Sequence, residues 1–436
     1  MINKSEFAAR RQKLLDSLEN DVVCVIPAAR EVTRSRDTEF PFRQDSDFLY
    51  LCGFNEPDAI LLLEKYQGNS LALLFCRERD PVAEIWQGRR LGPERAVEVL
   101  GVDKAFPLAE FDQELFARLT GKTRLVFAQG ADNALDNRLF EALAALRNTP
   151  KRGFNVPNLM QDIRPNLHAL RHIKSEAELS LMRRAADISC QAHIRAMRFC
   201  QPGRFEYQLE AELHHEFAMQ GARYPAYGTI VGSGVNGCIL HYTENADELK
   251  AGDLVLIDAG AELEGYAADI TRTFPVDGRF NPAQAQLYQF VLDAQMAAFE
   301  HIRPGGTLPD AMDAAVRVLT QGLIQLGILS GELEDNINSQ SYRAYFMHGI
   351  GHWLGLDVHD VGDYKRDGEN LPLEAGMVLT IEPGLYISEE ADVDAKWRGI
   401  GIRIEDNLLV TVGGHENLTA ACPKQIAEIE ALMAKQ

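Results

Sequence analysis

Apolar residues in the first part of the chain recur in two rhythms. Over 4–19 they fall at Phe7, Leu14, Leu15 and Leu18, the spacing of one helix face, with Ser5 as the expected cap. Short β-type runs follow at Val22–Ile26, Phe48–Cys52, Ile60–Leu63, Leu71–Cys76 and Leu125–Ala128. Helical spacing lies between and after them, around 94–100, 110–119 and 135–147. Strands alternating with helices predict an α/β domain. Periodicity then fades around Pro157 and Pro165, which places a boundary near 165–175. Ser175 opens a long helix, with Glu178 three residues on as its capping-box partner and Leu179, Met182, Ala186 and Ile188 on its inner face. Further helices are expected over 206–220, 282–302 and 308–328, the last two separated by the breaker Arg303-Pro304-Gly305-Gly306.

One stretch departs from ordinary core patterning. Leu254-Val255-Leu256-Ile257-Asp258 reads as a buried strand, Gly260 and Gly265 as a turn, and Ile270-Thr271-Arg272-Thr273-Phe274 as a returning strand. Asp258 and Asp269, eleven positions apart (269 − 258), border apolar sequence at facing strand ends. Aspartate is depleted in strands, and a buried carboxylate needs a partner. The stretch has an echo. Residues 249–258 align without a gap on 373–382: both start Leu-x-Ala-Gly, run on as β sequence and end in an acid, Asp258 or Glu382. Residues 399–407 alternate like a second strand and carry Glu405. Two related hairpins would gather four carboxylates, and a metal ion is the simplest counter-charge.

Histidines extend this reading. His348, His352 and His359 occur in twelve positions among three glycines. Gly349-Ile350-Gly351 disfavours a zinc-type helix, and the glutamate of that motif is missing, so a looped segment is expected in which one imidazole binds metal and the others touch substrate. His241 closes the glycine-rich loop 232–242 just before the first hairpin and could flank the same site. His193, His214 and His215 fall in helices and read as packing or surface residues.

Composition narrows the class. With 436 residues, two domains are the prior. A formal charge of −20 argues against nucleic-acid and anionic-membrane partners. No apolar stretch reaches spanning length, and the N-terminus lacks a signal peptide's apolar region. Seven scattered cysteines without a Cys-x-x-Cys pair suggest reduced thiols in a cytoplasm.

The ordered set Asp258, Asp269, His352, Glu382 and Glu405, in the settings Ile257-Asp258-Ala259-Gly260, Asp269-Ile270-Thr271-Arg272, His348-Gly349-Ile350-Gly351-His352, Ile381-Glu382-Pro383-Gly384 and Ile402-Arg403-Ile404-Glu405, resembles the dinuclear pita-bread metallopeptidases. Methionine aminopeptidase, Xaa-Pro aminopeptidase, Xaa-Pro dipeptidase and the metal-free creatinase are relatives in that group. Residues 42–59 and Trp86-Gln87-Gly88-Arg89-Arg90 look like the N-terminal part of bacterial-type Xaa-Pro aminopeptidases. The resemblance implies a two-domain α+β and α/β protein. Its parts are a creatinase-like α/β domain over 1–172, for oligomerisation and the cleft rim, and a catalytic pita-bread domain over 173–436 with pseudo-twofold hairpins flanked by helices.

It also implies two divalent ions, Mn²⁺ first and Co²⁺, Zn²⁺ or Fe²⁺ as alternatives, which suits an oxygen-rich site with one imidazole. Asp258 is expected on one ion, His352 and Glu382 on the other, with Asp269 and Glu405 bridging. The implied reaction is attack of a metal-bridging hydroxide on an Xaa-Pro carbonyl, releasing the first residue of the peptide. Glu382 shuttles the proton, His241 and His359 stabilise the oxyanion, His348 orients the carbonyl, and Arg403 holds Glu405. Tyr364 and Tyr386 are expected proline walls. Trp86 and Arg89 are expected in contacts of a dimer or tetramer. A dipeptidase restricted to Xaa-Pro and a non-enzymatic binding protein are the competing readings.

Overall fold

Leucine-rich runs near the N-terminus pair into a six-stranded sheet. Its order is Lys104–Pro107, Asn69–Cys76, Ile60–Tyr66, Val22–Pro27, Arg124–Phe127, Leu159–Asp162. Ile60–Tyr66 runs antiparallel to both neighbours, and the other pairs are parallel. Leu61, Leu62 and Leu63 are all buried, as expected of a strand covered on both faces. The computed structural model describes residues 2–149 and 153–434. The chain divides into two compact units, Met1–Arg171 and His172–Gln436.

Local chemistry corrects the sequence reading at three places in the first unit. Phe48–Cys52 is not a strand but part of the helix Ser46–Cys52: Asp45 caps it by accepting the Phe48 N–H at 2.8 Å, and Gly53 ends it at φ +64°. The opening helix, Lys4–Asp16, is capped by Asn3 rather than Ser5, through the Glu6 N–H. The segment read as aperiodic holds a helix, Arg164–His172, whose Pro165 falls in the first turn, where no N–H is needed.

The second unit is built on two β ribbons. In the first, Leu254–Asp258 pairs antiparallel with Thr271–Pro275, Asp258 facing Thr271. In the second, Val378–Ile381 pairs with Asp406–Thr411, Ile381 facing Asp406. The repeated Leu-x-Ala-Gly leads into equivalent strands, and its glycines share a conformation, φ +90° at Gly252 and +98° at Gly376. Both ribbons are interrupted at their acids. The first resumes as Ala261–Leu263 with Tyr266–Ala267, and the second as Gly384–Ile387 with Ile400–Arg403. The continuous strand expected over 399–407 is therefore split at Ile404-Glu405. Pro383 contributes no N–H to the ladder at that break.

Helices flank the ribbons and satisfy the carbonyls freed at the breaks. His193, on the helix Glu176–Phe199, reaches the Ala259 carbonyl at 3.0 Å. Gln295, on the helix Pro282–Phe299, donates to the carbonyls of Ile381 at 3.1 Å and Ile404 at 3.0 Å. Such groups, buried and unpaired, would each cost about 1–3 kcal/mol.

The ribbons are tied to each other behind the acids. Arg272 donates to the carbonyls of Thr271 and Glu405 and to Asp406 Oδ1 at 2.7 Å, and both side chains are 0% exposed. Without Arg272 the buried carbonyls of Thr271, Glu405 and Cys422 lose a donor, and Asp406 is left with Lys424 as its counter-charge. Arg272→Met is therefore expected to lower unfolding free energy by about 3–5 kcal/mol, read as a lower urea midpoint at pH 7. A loss within roughly 0.5 kcal/mol, the range of ordinary surface substitutions, would contradict this account.

Candidate metal centre

The breaks bring four acids and one imidazole to a common cleft. A cavity of about 510 Å³ is lined by Asp258, Asp269, His352, Glu382 and Glu405, with His241, His348, His359, Arg403 and Tyr227 around them. Asp269, His352 and Glu405 offer ligand atoms that all lie within 4.8 Å of one another. His352 Nε2 stands 3.4 Å from Asp269 Oδ2 and 3.7 Å from Glu382 Oε1. Its other nitrogen, Nδ1, lies 3.0 Å from the Trp353 carbonyl, which only accepts, so Nδ1 carries the proton and Nε2 faces the acids as a lone pair.

The glycines explain the position of His352. The segment from His348 to His359 forms no helix and touches the second ribbon through a bridge between Trp353 and Leu379. A Cβ on Gly351 would lie 1.9 Å from the Thr380 carbonyl, so only glycine lets the segment approach. The Thr380 hydroxyl accepts the His352 N–H at 3.1 Å and lies 3.4 Å from Glu382.

The electrostatics are those of a site short of positive charge. Asp269 and Glu405 are 4% and 2% exposed. Burial, and then the Asp258 charge, push the Asp269 carboxyl well above its ordinary value. Burial, and then Asp269, do the same to Glu405. Burial also raises Glu382, against His352 and Arg403. The Tyr227 hydroxyl lies 2.6 Å from Asp258 Oδ1 and 2.5 Å from Asp269 Oδ1. The phenol thus stands between the two carboxyls with one proton to share. Carboxyls crowded together and raised in this way fit divalent cations as their counter-charge. Carboxylate oxygens with a single imidazole suit Mn²⁺, Fe²⁺, Co²⁺ or Zn²⁺ better than Mg²⁺.

Arg403 is placed differently from the sequence reading. Its Nη2 bonds Asp258 Oδ2 at 2.7 Å, not Glu405, and Nε and Nη1 donate to Thr271 Oγ1 and Tyr386 Oη, each at 3.0 Å. Arg403 and Glu405 line the same cleft and meet through Thr271, whose hydroxyl accepts from Arg403 Nε. Glu405 instead accepts from Thr271 Oγ1 at 2.8 Å. His348 Nδ1 points to the Gly349 carbonyl at 2.7 Å, so Nε2 accepts from Tyr386 Oη at 2.9 Å. Burial, and then Arg403, lower His348 to about 4, which keeps it neutral. His359 packs edge-on to His352 at 4.3 Å between ring centroids and is exposed, like His241.

Tyr386 is buried behind His348, and Tyr364 lies in an adjoining hollow with its hydroxyl accepting the Trp353 N–H. Trp86 and Arg89 belong to the first unit, where both are exposed. Sequence reasoning missed Tyr227, which has no motif around it. It also missed Glu206, which looks like an ordinary first-turn acid. Glu206 is 0% exposed and accepts from Ser233 N and Oγ, Asn236, Tyr242 and Asp247 N, so it closes the loop that carries His241.

Comparisons with known proteins agree in direction. The model of metallopeptidase family M24 matches residues 180–412, and that of the aminopeptidase P N-terminal domain matches 7–127. The chain is 51% identical over 433 residues to Xaa-Pro aminopeptidase of Escherichia coli strain K12, covering 99% of this chain and 98% of that protein. Among solved structures it is similar to proline aminopeptidase P II from Yersinia pestis, with TM-score 0.97 and 51% identity over 100% of both chains. Zn-substituted E. coli aminopeptidase P in complex with product gives TM-score 0.97 and 50% identity, over 100% of this chain and 99% of that one.

A carboxyl raised on folding stabilises fully below its unfolded value near 4, and that stability is lost as pH rises through the folded value. In chelator-treated protein, Glu405→Gln removes this loss. The variant is expected to melt about 2–4 °C above wild type at pH 8, with the gap closing towards pH 5 in calorimetry. A gap that does not change with pH would contradict the assigned electrostatics.

Proposed function

The chain belongs to metallopeptidase family M24 and carries an aminopeptidase P N-terminal domain, and from that membership we propose that it releases the N-terminal residue from peptides with proline second. The observation that carries this reading is the cleft itself: four acids and His352 converge there, ringed by three more histidines, in a chain similar along 99% of its length to a Xaa-Pro aminopeptidase.

Two divalent cations are assigned to Asp258, Asp269, His352, Glu382 and Glu405, with Mn²⁺ first and Co²⁺, Zn²⁺ or Fe²⁺ as alternatives. Asp258 would hold one ion and His352 and Glu382 the other, with Asp269 and Glu405 available to both. When bound, such ions supply Lewis acidity and a water that ionises near neutral pH. Glu382, its carboxyl raised by burial, takes a proton and passes it to the proline nitrogen that leaves. His241 and His359 donate to the oxyanion that develops on the substrate carbonyl. Burial lowers His359, so it acts as a neutral donor. His348 orients the same carbonyl by its position, its ring held by the Gly349 carbonyl and by Tyr386. Arg403 fixes Asp258 from behind.

The first unit is assigned to assembly of a homo-oligomer, a dimer or tetramer. Support comes from the helix Pro81–Gln87, where Val82, Ile85 and Trp86 are exposed, Trp86 to 85%, with Arg89 just beyond. Trp and Arg are enriched where proteins meet. A cytoplasmic setting is supported by seven free cysteines.

Asp258→Asn should leave the chelated protein folded, read as a cooperative melting transition, and reduce turnover of an Xaa-Pro-Xaa tripeptide about 10³-fold, near 4 kcal/mol of transition-state stabilisation. Chelation should abolish wild-type turnover, and Mn²⁺ should restore it. Full activity in Asp258→Asn or in rigorously chelated protein would end the assignment, while hydrolysis of Gly-Pro alone would make the enzyme a dipeptidase. Sedimentation of wild type is expected to show an oligomer that Trp86→Glu weakens, and an active wild-type monomer would remove the role given to this surface.

A further inference from the structure

Glu206 is a buried acid that the proposed reaction leaves unused. It stands in the first turn of the helix Glu206–Met219, where backbone N–H groups without helical partners favour negative charge, and it is 0% exposed. Burying a carboxylate is costly unless hydrogen bonds meet it, and here five donors do. Oε1 accepts from Ser233 N–H and Oγ, each at 2.7 Å, and from Asn236 Nδ2 at 3.2 Å. Oε2 accepts from Tyr242 Oη and Asp247 N–H, each at 2.9 Å. Glu206 N–H in turn donates to the Asp247 carbonyl at 3.0 Å.

These donors lie at both ends of one loop. Ser233 ends the strand Ile230–Ser233, Gly234–Cys238 forms a short 3₁₀ turn, and Tyr242 and Asp247 lie on the return. Between the two ends, Leu240, His241 and Thr243 line the metal cleft. His241 is exposed, so its place is set by the backbone that carries it rather than by packing around its ring. Tyr242, the next residue, is buried instead: its ring is 5% exposed among Ile230, Leu256 and Tyr386, and its hydroxyl ends on Glu206. One carboxylate thus grips the residue beside His241 and both feet of its loop.

We infer that Glu206 is a positioning residue for the reaction, acting through His241: it holds that imidazole where it meets the oxyanion. The inference rests on the role given to His241 in the Xaa-Pro reading. Glutamine cannot take the place of Glu206, because its amide offers one accepting atom and one donating. An NH₂ in place of Oε1 opposes the Ser233 N–H, and in place of Oε2 it opposes the Asp247 N–H. Either way one foot of the loop is released. Asn245 keeps the rest attached, accepting the Val231 N–H and donating to the Thr229 carbonyl, each at 2.9 Å. The loop then shifts without unfolding. The loss falls on the transition state, where the oxyanion develops, more than on substrate binding.

The test is a double-mutant cycle on release of alanine from Ala-Pro-Ala by the Mn²⁺-loaded enzyme. Glu206→Gln is expected to lower kcat about 10-fold with KM within about 2-fold of wild type, and His241→Ala to lower kcat about 10²-fold. The double variant should match His241→Ala within about 2-fold, because Glu206 then has no imidazole to position. Tyr242→Phe, which removes one hydroxyl donor and leaves the carboxylate in place, should cost about 3-fold in kcat and lose that effect in the His241→Ala background. This second cycle decides the matter where Glu206→Gln does not melt cooperatively. Losses that multiply in either cycle, or an unchanged kcat in folded Glu206→Gln, would overturn the role and leave Glu206 a support of the fold alone. If wild type releases no alanine from Ala-Pro-Ala, the Xaa-Pro reading fails and the inference with it, a result distinct from turnover with independent losses.

Discussion

Mutual repulsion among buried carboxylates is the constraint around which the second unit is arranged. Asp269 and Glu405 are almost wholly enclosed, and Asp258 and Glu382 face the same cleft. Left to themselves, such groups would swing to solvent or hold protons. The fold prevents the first outcome. Both ribbons break where the acids project, and their backbones are sewn together at that point. Asp269 N–H donates to Asn407 Oδ1 at 3.0 Å, and Glu405 N–H donates to the Thr271 carbonyl at 3.0 Å. The second outcome is the direction in which burial and Asp258 push the Asp269 carboxyl, well above its ordinary value.

The supporting groups act on backbone more than on the acids. His193 and Gln295 reach in from two helices to carbonyls at the two breaks, and Arg272 binds carbonyls from both ribbons. Among the described residues only Arg403 brings a permanent positive charge into hydrogen-bond reach of a cleft acid, and it bonds Asp258. Asp269 and Glu405 are the acids whose carboxyls are raised furthest, Asp269 by burial and then Asp258, Glu405 by burial and then Asp269. An arginine between them would satisfy the charge and remove the vacancy that a dication needs.

How far the sequence disclosed this can be seen from particular residues. The repeat of Leu-x-Ala-Gly was legible because Gly252 and Gly376 share a backbone conformation that other residues disfavour. The four acids were legible because strands seldom end in buried carboxylates. His352 stood out because Gly351 must pass against Thr380, a need that leaves glycine in the text. Arg403 was misread because the register of 403 and 405 was taken as one strand, and the break between them depends on long-range pairing. Phe48–Cys52 was misread because a short apolar run has no period of its own, although Asp45 before it carried the cap. Glu206 and Tyr227 left no signal, since each acts through partners distant in the chain.

Proline places an unusual demand on such a cleft. An Xaa-Pro bond has no N–H, so a backbone acceptor could not recognise its leaving side. Shape must do that work, and shape requires walls that do not yield. His348 meets this condition: its two nitrogens are committed to the Gly349 carbonyl and to Tyr386, and Tyr386 is itself pinned by Arg403. Arg403 also grips Asp258, so the wall that would sense proline and an acid assigned to metal share one guanidinium. Displacing the wall would disturb Asp258, and moving Asp258 would loosen the wall. On the proposed reading, recognition and hydrolysis would be coupled through this one buried side chain rather than through two independent sites.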